Sequence, residues 1–118
     1  MSERKELRHA DIAFDDKGIA TITIRNAGSL NILGSHVIAD LRQAFDRLVS
    51  RQELRAVVLR GTGDKAFVAG ADIKEMGVLT PDTARTFIDG LRGLCEAVRQ
   101  CPVPVIARLA GWTLLSLA

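Results

Sequence analysis

The chain has 118 residues, a length that suits one domain. Its 16 Lys and Arg against 14 Asp and Glu give a formal charge of +2, and the Arg residues are scattered, which argues against an extended nucleic-acid-binding surface. A hydrophobic fraction of 47% and a charged fraction of 25% are typical of a globular protein and argue against global disorder.

No segment is typical of export, membrane insertion or metal binding. Residues 1–6 are charged, unlike a secretory signal, and Arg108 interrupts the most apolar stretch, residues 103–118. Cys95 and Cys101 provide neither a disulfide framework nor a zinc-binding spacing, and reduced thiols favour the cytoplasm. We therefore expect a cytoplasmic protein with no metal site, no membrane partner and no nucleic-acid partner.

The N-terminal part of the sequence predicts a β-hairpin. Residues 8–14 favour a first strand, and residues 19–24 alternate with period two and are rich in β-branched side chains. Residues 15–18 between them are polar and end in Gly18, which suits a tight turn.

A loop and an amphipathic helix are predicted next. Residues 26–34 are rich in Gly, Ser and Asn, as loops are. Ser35 is a candidate N-cap for a helix over residues 36–50, in which apolar residues recur at helical spacing. These apolar residues are Val37, Ile38, Leu41, Phe45 and Leu48.

A short strand and a segment of turns occupy the middle of the sequence. Between the arginines at its two ends, the segment 55–60 is apolar throughout, as in a strand covered on both faces. Residues 61–64 predict a turn and residues 66–68 extend again. Residues 69–72 then lead into a short helical turn at residues 73–76.

A second helix and a last strand follow. Thr80 is a candidate N-cap, Pro81 suits the first helical position, and the run at 101–104 ends the helix, which is thus predicted over residues 81–100. Its apolar stripe consists of Ala84, Phe87, Ile88, Leu91, Leu94, Cys95 and Val98. Residues 105–107 favour a strand, and Gly111 begins a turn. Because an exposed apolar end such as residues 112–118 would be a liability, we expect a single but incomplete domain.

The segment 69–76 is the strongest candidate for chemistry. Small residues at 69–71 leave room around the backbone, and the first N–H groups of the helical turn after them have no partner within the helix. Together with the helix dipole, such N–H groups suit a carbonyl oxygen that gains negative charge. On this pattern alone, a tight turn without a ligand remains the alternative.

Residues 66–76 resemble the signature of the crotonase, or enoyl-CoA hydratase/isomerase, family almost residue for residue, in the run Ala66-Phe67-Val68-Ala69-Gly70-Ala71-Asp72-Ile73-Lys74-Glu75-Met76. The strands at 19–24 and 55–60, the loop at 26–33 and residues 104–111 also resemble family segments, so the resemblance covers roughly residues 8–111. It implies an α/β, crotonase-like fold of repeated ββα units that is incomplete at the C-terminus.

The resemblance also implies a ligand. This ligand is an acyl-CoA thioester, so coenzyme A is part of the substrate and no separate cofactor is expected. The backbone N–H of Ala71 would be one of two donors that hold the thioester carbonyl and stabilise an enolate.

The resemblance further implies which residues bind CoA. The loops at 26–33 and 69–73 would flank the adenine and phosphates of CoA. Lys74 and Arg25 are candidate phosphate partners, and a plain surface charge remains the alternative for each. The implied CoA-binding residues are Arg25, Asn31, Ala69, Gly70, Asp72, Ile73 and Lys74. A full-length protein of this kind is expected to form a homotrimer or hexamer.

The chain departs from the family pattern after Gly111. A Gly-rich turn supplies the second donor in the family, but residues 112–117 contain no glycine. Of the two family glutamates, the first would fall near Ser116 and the second past residue 118. Asp72 and Glu75 are carboxylates in the same neighbourhood, and a capping or solvated role is favoured for both. Two hypotheses stay open: an enoyl-CoA hydratase or isomerase, and a truncated or degenerate member without activity.

The patterns that would indicate other functions are weak or missing. Gly61, Gly63 and Ala66 fit a loose dinucleotide-binding spacing, but no long helix opens there. His9 and His36 lack a zinc-binding spacing, and no serine lies in a nucleophile-elbow pattern.

Overall fold

The structure is a computed structural model that describes residues 6–28, 31–63, 66–68, 70–71, 75, 77–109 and 112–113. In chain order the elements are β1 (Ala10–Phe14), β2 (Ile19–Ile24), β3 (Ile32–Leu33), α1 (Ser35–Val49), β4 (Ala56–Gly61), β5 (Ala66–Val68), β6 (Gly70–Ala71), α2 (Pro81–Arg99), β7 (Val105–Arg108) and β8 (Trp112–Thr113). The α/β class predicted from the sequence is confirmed.

A four-stranded sheet in the order β1-β2-β4-β7 forms the centre of the described fold. Strand β1 is antiparallel to β2, whereas β2–β4 and β4–β7 are parallel. Parallel neighbours need a long crossover connection, which α1 supplies between β2 and β4 and α2 supplies between β4 and β7. Two smaller parallel pairs, β3–β6 and β5–β8, lie outside this sheet.

The predicted hairpin is confirmed, with β1 starting at Ala10 rather than at residue 8. Its turn is closed by Asp15, whose carboxylate accepts hydrogen bonds from the backbone N–H groups of Lys17 (2.8 Å) and Ile19 (2.9 Å). Gly18 has a φ of +86°, and a Cβ there would lie 2.3 Å from the carbonyl oxygen of Glu53. Glycine is therefore required at this position for both its backbone conformation and its close approach.

Asp15 makes the stability of the hairpin depend on pH. The backbone N–H donors of Ile19 and Lys17 lower the pKa of the Asp15 carboxyl below its ordinary value of 3.8. The carboxylate therefore stabilises the folded state above pH 3.8, and this contribution is lost as the pH falls through the folded pKa. Asp15→Asn should melt at a lower temperature than the wild type at neutral pH, and the gap should close in acid.

Thermal unfolding followed by circular dichroism across this pH range measures the effect. The neighbouring variant Asp16→Asn is the control, because Asp16 is also an exposed acid of the same turn. A gap between Asp15→Asn and the wild type that stays constant with pH would contradict the assignment.

Helix α1 packs its predicted apolar stripe into the core of the described fold. Phe45 is fully buried, as are Ile22 and Ile24 of β2. The buried residues of α1 are Val37, Ile38, Leu41, Ala44, Phe45 and Leu48. The predicted N-cap is wrong by one residue, since Gly34 occupies that position and Ser35 begins the helix. Its side chain is engaged elsewhere, as described below.

The prediction for β4 needs a correction. Val57 is fully buried, whereas Val58 and Leu59 are half-buried. The described residues therefore bury this strand completely at only some positions and do not cover it equally on both faces.

Helix α2 begins as predicted. The Thr80 hydroxyl accepts from the backbone N–H of Thr83 (3.2 Å), and the Thr83 hydroxyl accepts from the backbone N–H of Thr80 (2.7 Å). This reciprocal cap satisfies two N–H groups that the helix itself leaves open. The predicted stripe is only partly covered, because Phe87 and Leu94 are buried but Ile88 is 48% exposed.

Strands β7 and β8 are the last elements that the structure describes. Strand β7 confirms the strand predicted at residues 105–107 and extends it by one residue. Trp112 and Thr113, expected in a turn, instead form β8 and pair with β5. Within the described part of the chain, no helix has the length and apolar composition needed to cross a membrane.

Candidate functional site

The two loops predicted to flank a ligand meet through the β3–β6 pair. In this parallel pair Ile32 lies opposite Gly70, and Leu33 lies opposite Ala71. The sequence predicts only loop and turn at these positions, because strands of two residues are too short to show a periodic pattern. Of the predicted site residues, Gly70 and Ala71 are therefore placed beside the end of the loop at 26–33.

Four predicted site residues of this segment fall outside the described part of the chain. Ala69, Asp72, Ile73 and Lys74 lie outside the described residues, as does most of the helical turn predicted at residues 73–76. Glu75, from the same predicted turn, is helical. The donor role of the Ala71 N–H stays a prediction.

Asn31 ties the first loop to the turn that follows β4. Its side chain is fully buried, and its Nδ2 donates to the carbonyl oxygen of Thr62 at 3.2 Å. Its φ of +53° lies in the left-handed region, which Asn tolerates better than most residues. Thr62 in turn donates from its backbone N–H to the carbonyl oxygen of Ile24 at 3.0 Å. Asn31 therefore holds the loop against the sheet from inside the protein.

This arrangement predicts the effect of Asn31→Ala. The substitution removes the donor to Thr62 and leaves Ala in a left-handed conformation, so the free energy of unfolding should fall by about 1–3 kcal/mol. Urea denaturation measures the change. Asn26→Ala is a matched control, because Asn26 also has a left-handed φ (54°) but makes its side-chain hydrogen bond at the surface. Equal losses in the two variants would show that burial of Asn31 adds nothing.

Arg25, a predicted phosphate partner, lies against the N-terminal segment. Its Nη2 donates to the carbonyl oxygen of Leu7 (2.7 Å) and to Glu6 Oε1 (3.1 Å), and its Nη1 lies 3.9 Å from Asp11 Oδ1. Two exposed carboxylates therefore lie within ion-pair distance of this guanidinium. A phosphate bound there would have to compete with them, which the sequence did not reveal because both partners belong to other elements.

Glu75 caps the first helix across a large sequence separation. Its Oε1 accepts from the backbone N–H of Ser35 at 2.9 Å, and its Oε2 accepts from the Ser35 hydroxyl. Of the two roles favoured for Glu75, capping or solvated, the structure shows capping, with the Ser35 side chain as a second donor. A carboxylate at this place satisfies an N–H without a partner in the helix and complements the positive end of the helix dipole.

A cavity of about 510 Å³ adjoins this contact between α1 and α2. Ile38, Leu79 and Phe87 give it mainly apolar walls, and Ser35 and Glu75 line it as well. Such a volume is within the range of small-molecule pockets. Among the described residues, no group of three or more His, Cys, Asp or Glu side chains is placed to hold a metal ion.

Comparison with known proteins identifies similar sequences. The sequence model of the family described as "Enoyl-CoA hydratase/isomerase" matches residues 15–114. The human mitochondrial methylglutaconyl-CoA hydratase is 30% identical over 97% of this chain and 34% of its own length. The mouse mitochondrial enoyl-CoA hydratase domain-containing protein 2 is 32% identical over 84% of this chain and 33% of its own length. The chain thus spans about a third of the length of these curated relatives.

Solved structures show the same fold. Enoyl-CoA hydratase from Bacillus anthracis superposes with a TM-score of 0.82 at 28% identity, over 88% of this chain and 40% of that one. Enoyl-CoA hydratase from Mycobacterium smegmatis gives a TM-score of 0.80 at 32% identity, over 86% and 39%. The crotonase-like fold expected from the sequence is therefore confirmed.

Proposed function

Because this chain belongs to the enoyl-CoA hydratase/isomerase family, we propose that it binds an acyl-CoA thioester between the loops that β3 and β6 join. The observation that carries the proposal is the Leu33–Ala71 pairing, which sets the two loops side by side. Coenzyme A enters as part of the substrate, and no further cofactor is needed.

The chemistry follows from the backbone donor. The N–H of Ala71 would donate to the thioester oxygen, which withdraws electron density from the carbonyl and stabilises the negative charge of an enolate on that oxygen. A preorganised donor of this kind needs no reorientation as the negative charge develops. Gly70 beside it has no side chain to block approach of the thioester.

The remaining predicted residues would hold the CoA moiety. Lys74 would contact a phosphate, and the backbone from Ala69 to Ile73, including Asp72, would line the path of the ligand. Asn31 would not contact the ligand but would fix the loop whose backbone faces it. Arg25 would contribute only if a phosphate displaced Glu6.

A second candidate function is binding without catalysis. The run at residues 112–117 has no glycine, and Ser116 falls near the place of the first family glutamate. Such a chain would sequester an acyl-CoA or act through association. For a full-length protein we propose assembly as a trimer or hexamer, and for this chain a cytoplasmic location.

Calorimetric titration tests the proposal. The chain should bind a short enoyl-CoA with a dissociation constant of about 1 μM to 1 mM, the range of typical KM values. Free CoA should bind more weakly, because it lacks the carbonyl that Ala71 would hold. Absence of saturable binding up to millimolar ligand would overturn the proposal, and equal affinity for free CoA would overturn the donor assignment.

A further inference from the structure

The central sheet has one face that its crossover helices do not cover. Crossovers between parallel strands are right-handed, so two crossovers that run in the same direction along a sheet lie on the same side of it. Helices α1 and α2 meet this condition, because they connect β2 to β4 and β4 to β7, and they pack against each other. The covered face carries Ile22 and Val57, which are fully buried in the core. We call the opposite face, which carries Thr21, Val58 and Ile106, the open face.

Strand register arranges the open face in rows that run across the strands. Thr21, Val58 and Ile106 occupy matched positions on β2, β4 and β7, and Ala13 extends this row onto β1. Val58 is half-buried, Ala13 is exposed, and Ile106 is 55% exposed. Parallel strands are almost always covered on both faces. An accessible apolar row on such strands therefore indicates a surface that takes a partner.

A second row on the open face carries charge at both ends. Asp11, Thr23, Arg60 and Arg108 occupy matched positions on β1, β2, β4 and β7. The two arginines are direct neighbours of like charge, an unfavourable arrangement, and within the described part of the chain neither has a carboxylate within ion-pair distance. Asp11 is exposed and lies 3.9 Å from Arg25 Nη1, and its carboxylate can accept further hydrogen bonds.

We propose that the open face binds a second copy of this chain, in a dimer whose two-fold axis runs parallel to the strands between β2 and β4. This axis places β1 of each subunit over β7 of the other, and β2 over β4. Asp11 then lies opposite the partner's Arg108, and Ala13 lies opposite the partner's Ile106. Because the interface is isologous, each of these contacts occurs twice.

The charges select this axis over the alternative. An axis across the strands would stack each strand on its own copy, so Asp11 on β1 would meet no arginine of β4 or β7. Packed sheets lie about 10 Å apart and are rotated by about 30°. The long side chain of Arg108 and the carboxylate of Asp11 together span a gap of that size. The partner's Asp11 also relieves the repulsion between Arg60 and Arg108.

The size of the open face predicts a weak dimer. Four strands about 4.8 Å apart, each of about six residues with a rise of about 3.3 Å, present roughly 400 Å² per subunit. A stable complex buries about 800 Å² per partner, so we expect a dissociation constant of about 10–100 μM. This dimer is distinct from the trimer or hexamer proposed for a full-length protein, and it requires no acyl-CoA.

Sedimentation equilibrium of the whole chain at about 5–500 μM measures this dissociation constant. Ile106→Lys places a charge in the apolar row and should weaken the dimer at least about tenfold. Ile88→Lys is the matched control, because Ile88 is a similarly exposed isoleucine (48%) on α2, and it should leave the dimer unchanged. Circular dichroism shows that each variant is folded.

An exchange of charges tests the orientation of the two subunits. Asp11→Arg and Arg108→Glu each place like charges opposite one another and should weaken the dimer about tenfold. The double variant Asp11→Arg/Arg108→Glu restores opposite charges and should recover the wild-type constant to within about threefold. Asp11→Asn, which removes the charge without adding a long side chain, decides the question if Asp11→Arg does not fold.

The outcomes are decisive for this surface and for this orientation. A wild-type chain that stays monomeric at about 500 μM overturns the proposal, whether another polypeptide covers the open face or none does. A dimer that Ile106→Lys leaves intact, or that Ile88→Lys weakens equally, uses another surface and also overturns it. Weakening in both single charge variants without recovery in the double variant overturns the two-fold arrangement.

Discussion

The 118-residue chain is expected to show no measurable hydration of a short enoyl thioester. One backbone donor is proposed at Ala71, but the run at residues 112–117 has no glycine for the close approach that the second donor makes in the family. Ser116 falls near the place of the first glutamate, and no residue of the chain matches the second. General acid–base assistance alone is worth about 10²–10⁴ in rate.

The assay follows the loss of conjugated enoyl absorbance with purified chain. A complete hydratase of the same fold, such as the Bacillus anthracis enzyme, serves as the positive control. Turnover near that of the complete enzyme would contradict the prediction and would require another base. Asp72→Asn and Glu75→Gln would then identify it, since these carboxylates lie nearest in sequence to Ala71.

Ala71→Pro is the second substitution with a large expected effect. Made at the matching alanine of a full-length relative, it removes one backbone N–H without adding a charge, and turnover should fall by about a hundredfold or more. Steady-state kinetics with an enoyl-CoA measures the loss, which should fall on kcat because the interaction strengthens in the transition state.

Proline at this position also disturbs the β3–β6 pair. The control variant must therefore disturb this pair while keeping the N–H of the matching alanine. Proline at the position that matches Leu33, on the partner strand, meets this requirement. Similar losses in both variants would assign the effect to the pair rather than to the N–H. An unimpaired rate in the Ala71→Pro variant would rule out the oxyanion role.

Local patterns predicted the main elements well. Strand β2 has the predicted bounds, because its β-branched alternation matches a face buried at Ala20, Ile22 and Ile24. Helix α2 starts at Pro81 as predicted, because Thr80 and Thr83, which form its cap, lie only three residues apart in the sequence. For the bounds of β2 and the start of α2, patterns within a few neighbouring residues were therefore sufficient.

Features set by distant partners were missed. Gly34 rather than Ser35 is the N-cap of α1, and Ser35 donates to Glu75, which is 40 residues away in sequence. The sequence left a capping and a solvated role open for Glu75 and did not indicate its partner. For the candidate site, the sequence indicated two loops, whereas their pairing at Leu33 and Ala71 and the buried hydrogen bond of Asn31 are visible only in the structure.

The mixed direction of the central sheet has a consequence for the order of folding. The β1–β2 hairpin joins residues close in sequence, whereas β2–β4 and β4–β7 each enclose a helix. Hairpins close in about 1–10 μs, while parallel pairs must first overcome the entropy of a long loop. The hairpin and α1 are thus expected to form the nucleus, and β7 to join last. In stopped-flow measurements, substitutions at Ile22 should mainly slow folding, and substitutions at Val105 should mainly accelerate unfolding.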